Sequence, residues 1–153
     1  MRARRGFSIP ELLVVLILLG LLVRLGFPRY TELRAKAQAR AVVGDVLAIR
    51  LAAYNYNTEK QAWPAEVGMG TVPPELATVL PIDFSFQRQH WVLDYDVWPG
   101  AGNSPGTPVI GVTVDAADPR LVGAIRAAAR LGLPYLTSGA QTTFLLAGFG
   151  GNY

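Results

Sequence analysis

The chain has 153 residues, of which 51% are hydrophobic and none is cysteine, and its mean hydropathy is +0.28. That is room for one domain and an appendage, and it excludes a disulfide framework and a thiolate metal centre. Of the 14 Lys and Arg residues, Arg2, Arg4 and Arg5 lie in the first six positions, and the remaining 11 face 11 Asp and Glu. The pI near 9.5 therefore comes from a short tail, not from a phosphate-binding surface, and no nucleic-acid partner is expected.

The first element is apolar. Residues 7–27 carry only two charges, Glu11 and Arg24, and as a helix they span about 31 Å, close to the roughly 30 Å hydrocarbon core of a bilayer. The arginines before them place the N-terminus in the cytoplasm and the rest of the chain outside. A secretory signal peptide is the alternative, since residues 12–23 form an uninterrupted apolar stretch of signal-like length. The small-residue cleavage triads, Ala35-Lys36-Ala37 and Ala37-Gln38-Ala39, lie too far beyond it, after Arg24, Pro28, Glu32 and Arg34.

Glu11 discriminates between these readings. A carboxylate inside a membrane helix costs on the order of 3 kcal/mol at the centre, less near an end, and usually finds a partner. The chain has no basic residue one helical turn away on either side. One candidate partner is the α-amino group that cleavage after Gly6 would expose on Phe7 of a neighbouring copy.

The basic residues, Gly6, Phe7, Glu11, the run "LLVVLILLGLL" and "FPRY" together resemble the class III signal of the type IV pilin family, which includes the pseudopilins of type II secretion. The resemblance is specific over residues 4–55 and architectural beyond them. It implies cleavage between Gly6 and Phe7 by a prepilin peptidase, N-methylation of Phe7, and a Glu11 that neutralises the adjoining subunit's terminal amine during filament growth. Two residues depart from the pattern. Pro10 replaces an aliphatic residue, but in a first helical turn it loses no hydrogen bond. Arg24 is unusual in the apolar stretch, and snorkelling to the outer headgroups is favoured over a filament-specific salt bridge.

Pro28 is expected to bend or loosen the helix at the membrane exit. Beyond it, residues 29–56 lack proline and carry two stripes of apolar or small residues at helical spacing. One is Tyr30, Leu33, Ala37, Ala41, Gly44, Ala48 and Leu51; the other is Val42, Val46, Ile49 and Ala53. Two stripes fit a helix packed on one side by its own head and on the other by neighbouring subunits. The helix should end near "YNYNTEK".

The head, residues 57–153, opens on a Pro- and Gly-punctuated connector with a short helical turn over residues 74–80. "FQRQHWVLDYDVWP" reads as a strand with Trp91, Leu93, Tyr95 and Val97 on one face. "PGAGNSPGTP" is a loop and "VIGVTVD" a second strand. Asp118 caps a helix with Pro119 at its first position, stopped by Gly132. "QTTFLLAGF" closes as a third strand, and "GFGGNY" reads as a loose end.

The head offers little chemistry. His90 near Asp94 and Asp96 is a weak metal candidate, because strand carboxylates are usually solvated. Asp115 and Asp118 could contribute to a Ca²⁺ site, but capping already explains Asp118. Arg120, Arg126 and Arg130 make at most a mild basic patch. Nucleophile-elbow, phosphate-loop and dinucleotide motifs are missing from the sequence. No cofactor and no metal is expected.

The chain is therefore expected to be α+β. A basic leader at 1–6 is removed, and a long helix has a membrane half at 7–28 and an amphipathic half at 29–56. Residues 57–153 form a small antiparallel sheet with an added helix. Its expected role is a non-enzymatic pilus-like subunit, most readily a type II secretion pseudopilin or a minor pilin. Its expected partners are other pilin-like subunits, the prepilin peptidase, an inner-membrane assembly platform and membrane lipid. The head would lie in the periplasm before entering a periplasmic or extracellular filament. The rival is a single-pass anchored periplasmic binding module that does not polymerise.

Overall fold

The structure is a computed structural model that describes residues 7–102, 106–129 and 132–148. The leader with Gly6, together with Arg130 and the tail 149–153, lies outside the described residues. The chain is α+β and divides into two compact units, Met1–Arg34 and Ala35–Tyr153. One helix, α1 (Ile9–Lys60), runs through both.

In the first unit, α1 starts on Ser8, whose carbonyl accepts the Leu12 N–H at 3.2 Å. Pro10 sits in the opening turn, where its missing N–H has no helical partner to lose. Pro28 is inside the helix, which continues without interruption. Proline there has no N–H for the carbonyl four residues earlier, and Thr31 Oγ1 donates to the Pro28 carbonyl at 2.9 Å. Every side chain from Phe7 to Tyr30 is exposed. An 18-residue window of α1 reaches a mean hydropathy of 2.3, so the helix is long and apolar enough to cross a membrane.

In the second unit, α1 packs through Ala35, Ala39, Val42, Val46, Ile49, Ala52 and Ala53. Steps of three and four put them on one side of the helix. The two sequence stripes separate here. Val42, Val46, Ile49 and Ala53 are buried, whereas Ala37, Ala41, Gly44 and Leu51 are exposed and Ala48 is half-buried. α1 ends at Lys60, and Gln61 turns the chain with a left-handed φ of 54°. A short helix, α2 (Pro74–Ala77), occupies the start of the expected 74–80 turn.

The sheet is antiparallel, ordered β1-β2-β4-β3: β1 is Val92–Trp98, β2 Val109–Asp115, β3 Tyr135–Ser138 and β4 Gln141–Ala147. One strand more is present than the sequence reading expected. β3 pairs with β4 across a two-residue turn, Gly139 and Ala140, with Ser138 opposite Gln141. The turn carries a positive φ of 57° at Gly139, the form of loop that matches strand twist. The other helix, α3 (Pro119–Ala129), is capped as expected, with the Arg120 N–H donating to Asp118 Oδ1 at 2.9 Å.

Leu93 and Tyr95 of β1, Ile110, Val112 and Val114 of β2, and Phe144 and Leu146 of β4 meet the buried face of α1 and Leu121 and Ile125 of α3 in one core. Each such fully buried aliphatic or aromatic side chain contributes about 1.5–3 kcal/mol. Two polar ties link α1 to the sheet side. Tyr54 Oη donates to the Leu146 carbonyl at 2.8 Å. Arg88 grips Asp45 through Nε (3.2 Å) and Nη2 (3.0 Å), a two-point geometry that a lysine could not reproduce.

Candidate functional site

The N-terminal turn of α1 gives Glu11 a local setting. Its Oε2 accepts from both the N–H and the hydroxyl of Ser8, each at 3.2 Å. With α1 beginning at Ile9, Ser8 is the cap and Glu11 the third helical residue, and the carboxylate reaching back to the Ser8 N–H makes that half of a capping box. The signal, Ser-x-x-Glu, stands in the sequence at 8–11. The box leaves the carboxylate exposed at the very start of the helix, with Phe7 beside it at 77% exposure. Anionic groups are favoured at that end by the helix dipole. Arg24 is likewise exposed on the apolar stretch.

The head contains a second acidic group. Leu93 and Tyr95 take the core face of β1, so Asp94 and Asp96 share the other face. Thr113 on β2 donates its hydroxyl to Asp96 and is within 2.9 Å of the Thr143 hydroxyl. Glu66 from the connector accepts the Val97 N–H at 3.0 Å. Burial, and then the charges of Asp96 and Glu66, push the Asp94 carboxyl up to about 6. Burial also raises Asp96, opposed by the Thr113 hydrogen bond. Among the described residues no group of three or more His, Asp or Glu is placed to hold a metal. Asp118 is engaged in its cap, and Asp115 accepts from Gln141 Nε2 at 3.1 Å. Arg126 donates to the Gly139 carbonyl at 2.6 Å, so its guanidinium anchors the β3–β4 turn.

The raised Asp94 carboxyl sets a pH dependence. A carboxyl that holds its proton more tightly in the folded state than in the unfolded chain stabilises the fold at low pH. It withdraws that contribution as pH rises from about 4 towards about 6. Asp94→Asn is therefore expected to raise the Tm of the detergent-solubilised chain at pH 7.5. A gain of roughly 2–4 °C is expected, modest because water still screens the carboxylate. The gain should disappear near pH 4, and an equal gain at both pH values would remove the buried, ionised carboxylate as its cause.

No family model matches the chain, and no solved structure matches it. Curated proteins do. Type II secretion system core protein G of Klebsiella michiganensis is 30% identical over 106 residues, 65% of this chain and 71% of that protein. The chain belongs to the type IV pilin-like family. Core protein G of Dickeya chrysanthemi is 32% identical over 81 residues, 48% of this chain and 53% of its own length. A fimbrial protein of Pseudomonas aeruginosa is 34% identical over 53 residues, 35% of this chain and 34% of its own. In this pilin-like chain the long apolar helix and the four-stranded head are the family's two structural parts. The role carried by such a fold is structural and not catalytic.

Proposed function

We propose that the chain is a pseudopilin-type filament subunit of a type II secretion system. The observation that carries this is the exposed apolar length of α1 beginning at the Glu11 carboxylate, in a chain similar to core protein G. A prepilin peptidase removes residues 1–6 at the cytoplasmic face, between Gly6 and Phe7, and Phe7 is N-methylated. Residues 7–28 anchor the chain once through the inner membrane with the head, residues 57–153, in the periplasm. An assembly platform then extracts the subunit, and the exposed faces of residues 7–28 and 29–56 bundle with those of other subunits.

Within that bundle Glu11 meets the terminal amine of the adjoining copy, which relieves the burial cost of both charges. Pro28, which lacks one helical hydrogen bond, is the point where α1 flexes as the subunit leaves the bilayer. The apolar faces supply adhesion without direction, and the carboxylate–amine pair supplies the axial register.

Intact-mass and N-terminal fragment spectra of the membrane-extracted protein test the reading. The expected species starts at Phe7 and carries one additional methyl group on its amine. A chain that keeps Met1, or one that starts near Gln38, overturns it.

A further inference from the structure

A turn over residues 81–84 and a groove between α1 and α3 complement each other and lie on opposite sides of α1. The groove, about 200 Å³, lies between α1 and the end of α3, lined by Val43, Leu47, Arg50, Ala128, Leu133 and Phe144. Its size exceeds the roughly 150 Å³ apolar cavity that accepts a benzene-sized group. At its edge the Arg50 guanidinium stands 5.7 Å over the Tyr54 ring, and no carboxylate among the described residues pairs with it. The groove is therefore apolar with a cation at its rim.

The turn spans residues 81–84, closed by Phe84 N–H donating to the Pro81 carbonyl at 3.1 Å. Ile82 at its apex is 93% exposed, the largest value among the large apolar side chains described. Asp83 follows with φ 63°, a left-handed turn position that aspartate tolerates and β-branched residues do not. The turn is held firmly. Phe84 packs edge-on against Phe86 with centroids 6.1 Å apart and lies under the Arg88 guanidinium at 5.2 Å. The apex thus presents a branched aliphatic group and, beside it, an anion.

The two surfaces flank α1 on opposite sides. Arg88, which covers Phe84, is bound to Asp45. On a helix of 3.6 residues per turn Asp45 is about 200° round from both Val43 and Leu47. Complementary patches on different sides of one subunit join heterologously and build a ring or an open chain, not an isologous pair.

We infer that Ile82 of one copy inserts into the groove beside Leu47 of the next, with Asp83 pairing to Arg50. This rests on the filament-subunit reading above and adds to it a specific contact between the 81–84 turn of one copy and the α1–α3 groove of the next. Ile82 gains burial, and the ion pair at the rim fixes which way the apex enters.

The absence of cysteine from the chain makes a thiol crosslink test unambiguous, because disulfide geometry requires the two positions to be in contact. Full-length Ile82→Cys and Leu47→Cys chains, produced together in filament-forming cells and mildly oxidised, should yield covalent dimers. Either variant alone should yield none, and the double variant should yield a ladder. Asp83→Asn suits the same left-handed turn and removes the charge, so it should weaken the ladder by roughly threefold or more. Filaments that assemble without the 47–82 crosslink, or crosslinks from a single variant alone, overturn this contact and leave the filament reading standing. A ladder unaffected by Asp83→Asn overturns the Asp83–Arg50 pairing. If no filaments form at all, both the contact and the reading fall.

Discussion

Glu11→Gln and Glu11→Ala are both expected to leave membrane insertion intact and to cut the yield of sheared, sedimented filaments by about tenfold or more. Tenfold corresponds to only about 1.4 kcal/mol, well within the roughly 3 kcal/mol at stake when a membrane-embedded charge loses its partner. The two variants separate what Glu11 does for its own helix from what it does for the next subunit. Its Oε2 receives the Ser8 N–H and hydroxyl at 3.2 Å each. Glutamine keeps an oxygen for those bonds and serves a capping box nearly as well, but it has no charge for an amine. Ser8→Ala does the converse: it removes the hydroxyl's bond to Glu11, about 1 kcal/mol, and retains the carboxylate.

If capping were the purpose of Glu11, Glu11→Gln would assemble like the parent and Ser8→Ala would fail like Glu11→Ala. With the amine as partner, Glu11→Gln fails with Glu11→Ala, and Ser8→Ala assembles. Immunoblots of the membrane fraction, showing equal subunit levels, keep the comparison about assembly. Parental filament yield from Glu11→Gln would end the pairing account.

What was legible in the sequence was what the chain signals locally. The apolar run announces itself by the scarcity of charge, and α3 by a signal at each end, Asp118-Pro119 and Gly132. β1 shows alternation because only its Leu93 and Tyr95 face is fully buried. β2 does not alternate, since six of its seven residues are buried; its flanking loops had to betray it. β3 escaped because Leu136, Thr137 and Ser138 are exposed, so no buried face imposes a pattern. Only the Ser138-Gly139 step hinted at the hairpin. The Ser8–Glu11 box was readable at a spacing of three. Arg88 gripping Asp45 is separated by 43 residues and was not readable, because nothing local to either residue depends on the other. The same holds for Glu66, whose approach to Asp94 and Asp96 is created by the fold alone.

Gly148→Ala is expected to be the most damaging small substitution in the head. Gly148 follows β4 with φ +117°, a conformation that residues with a β-carbon rarely adopt. A Cβ there would stand 2.7 Å from the Pro108 carbonyl oxygen and 2.7 Å from Val109 Cα. Both are backbone atoms at the start of β2, beside the Ile110–Ala147 pair, so no side-chain rotation relieves the overlap. Relief requires the two inner strands of the sheet to part, and backbone strain adds to the broken ladder. The expected cost is about 3–4 kcal/mol, a fall in Tm of roughly 10 °C or more. Gly123 in α3 provides the contrast. A Cβ there meets nothing within 4 Å, and alanine relieves the entropy of an exposed helical glycine, so Gly123→Ala should stabilise by about 0.5–1 kcal/mol. The same methyl group thus acts with opposite sign at two positions of one chain. Differential scanning fluorimetry of the two variants in detergent, against the parent, reads both directions at once. Melting points that move together would mean that close approach of β2 and β4 does not govern the fold.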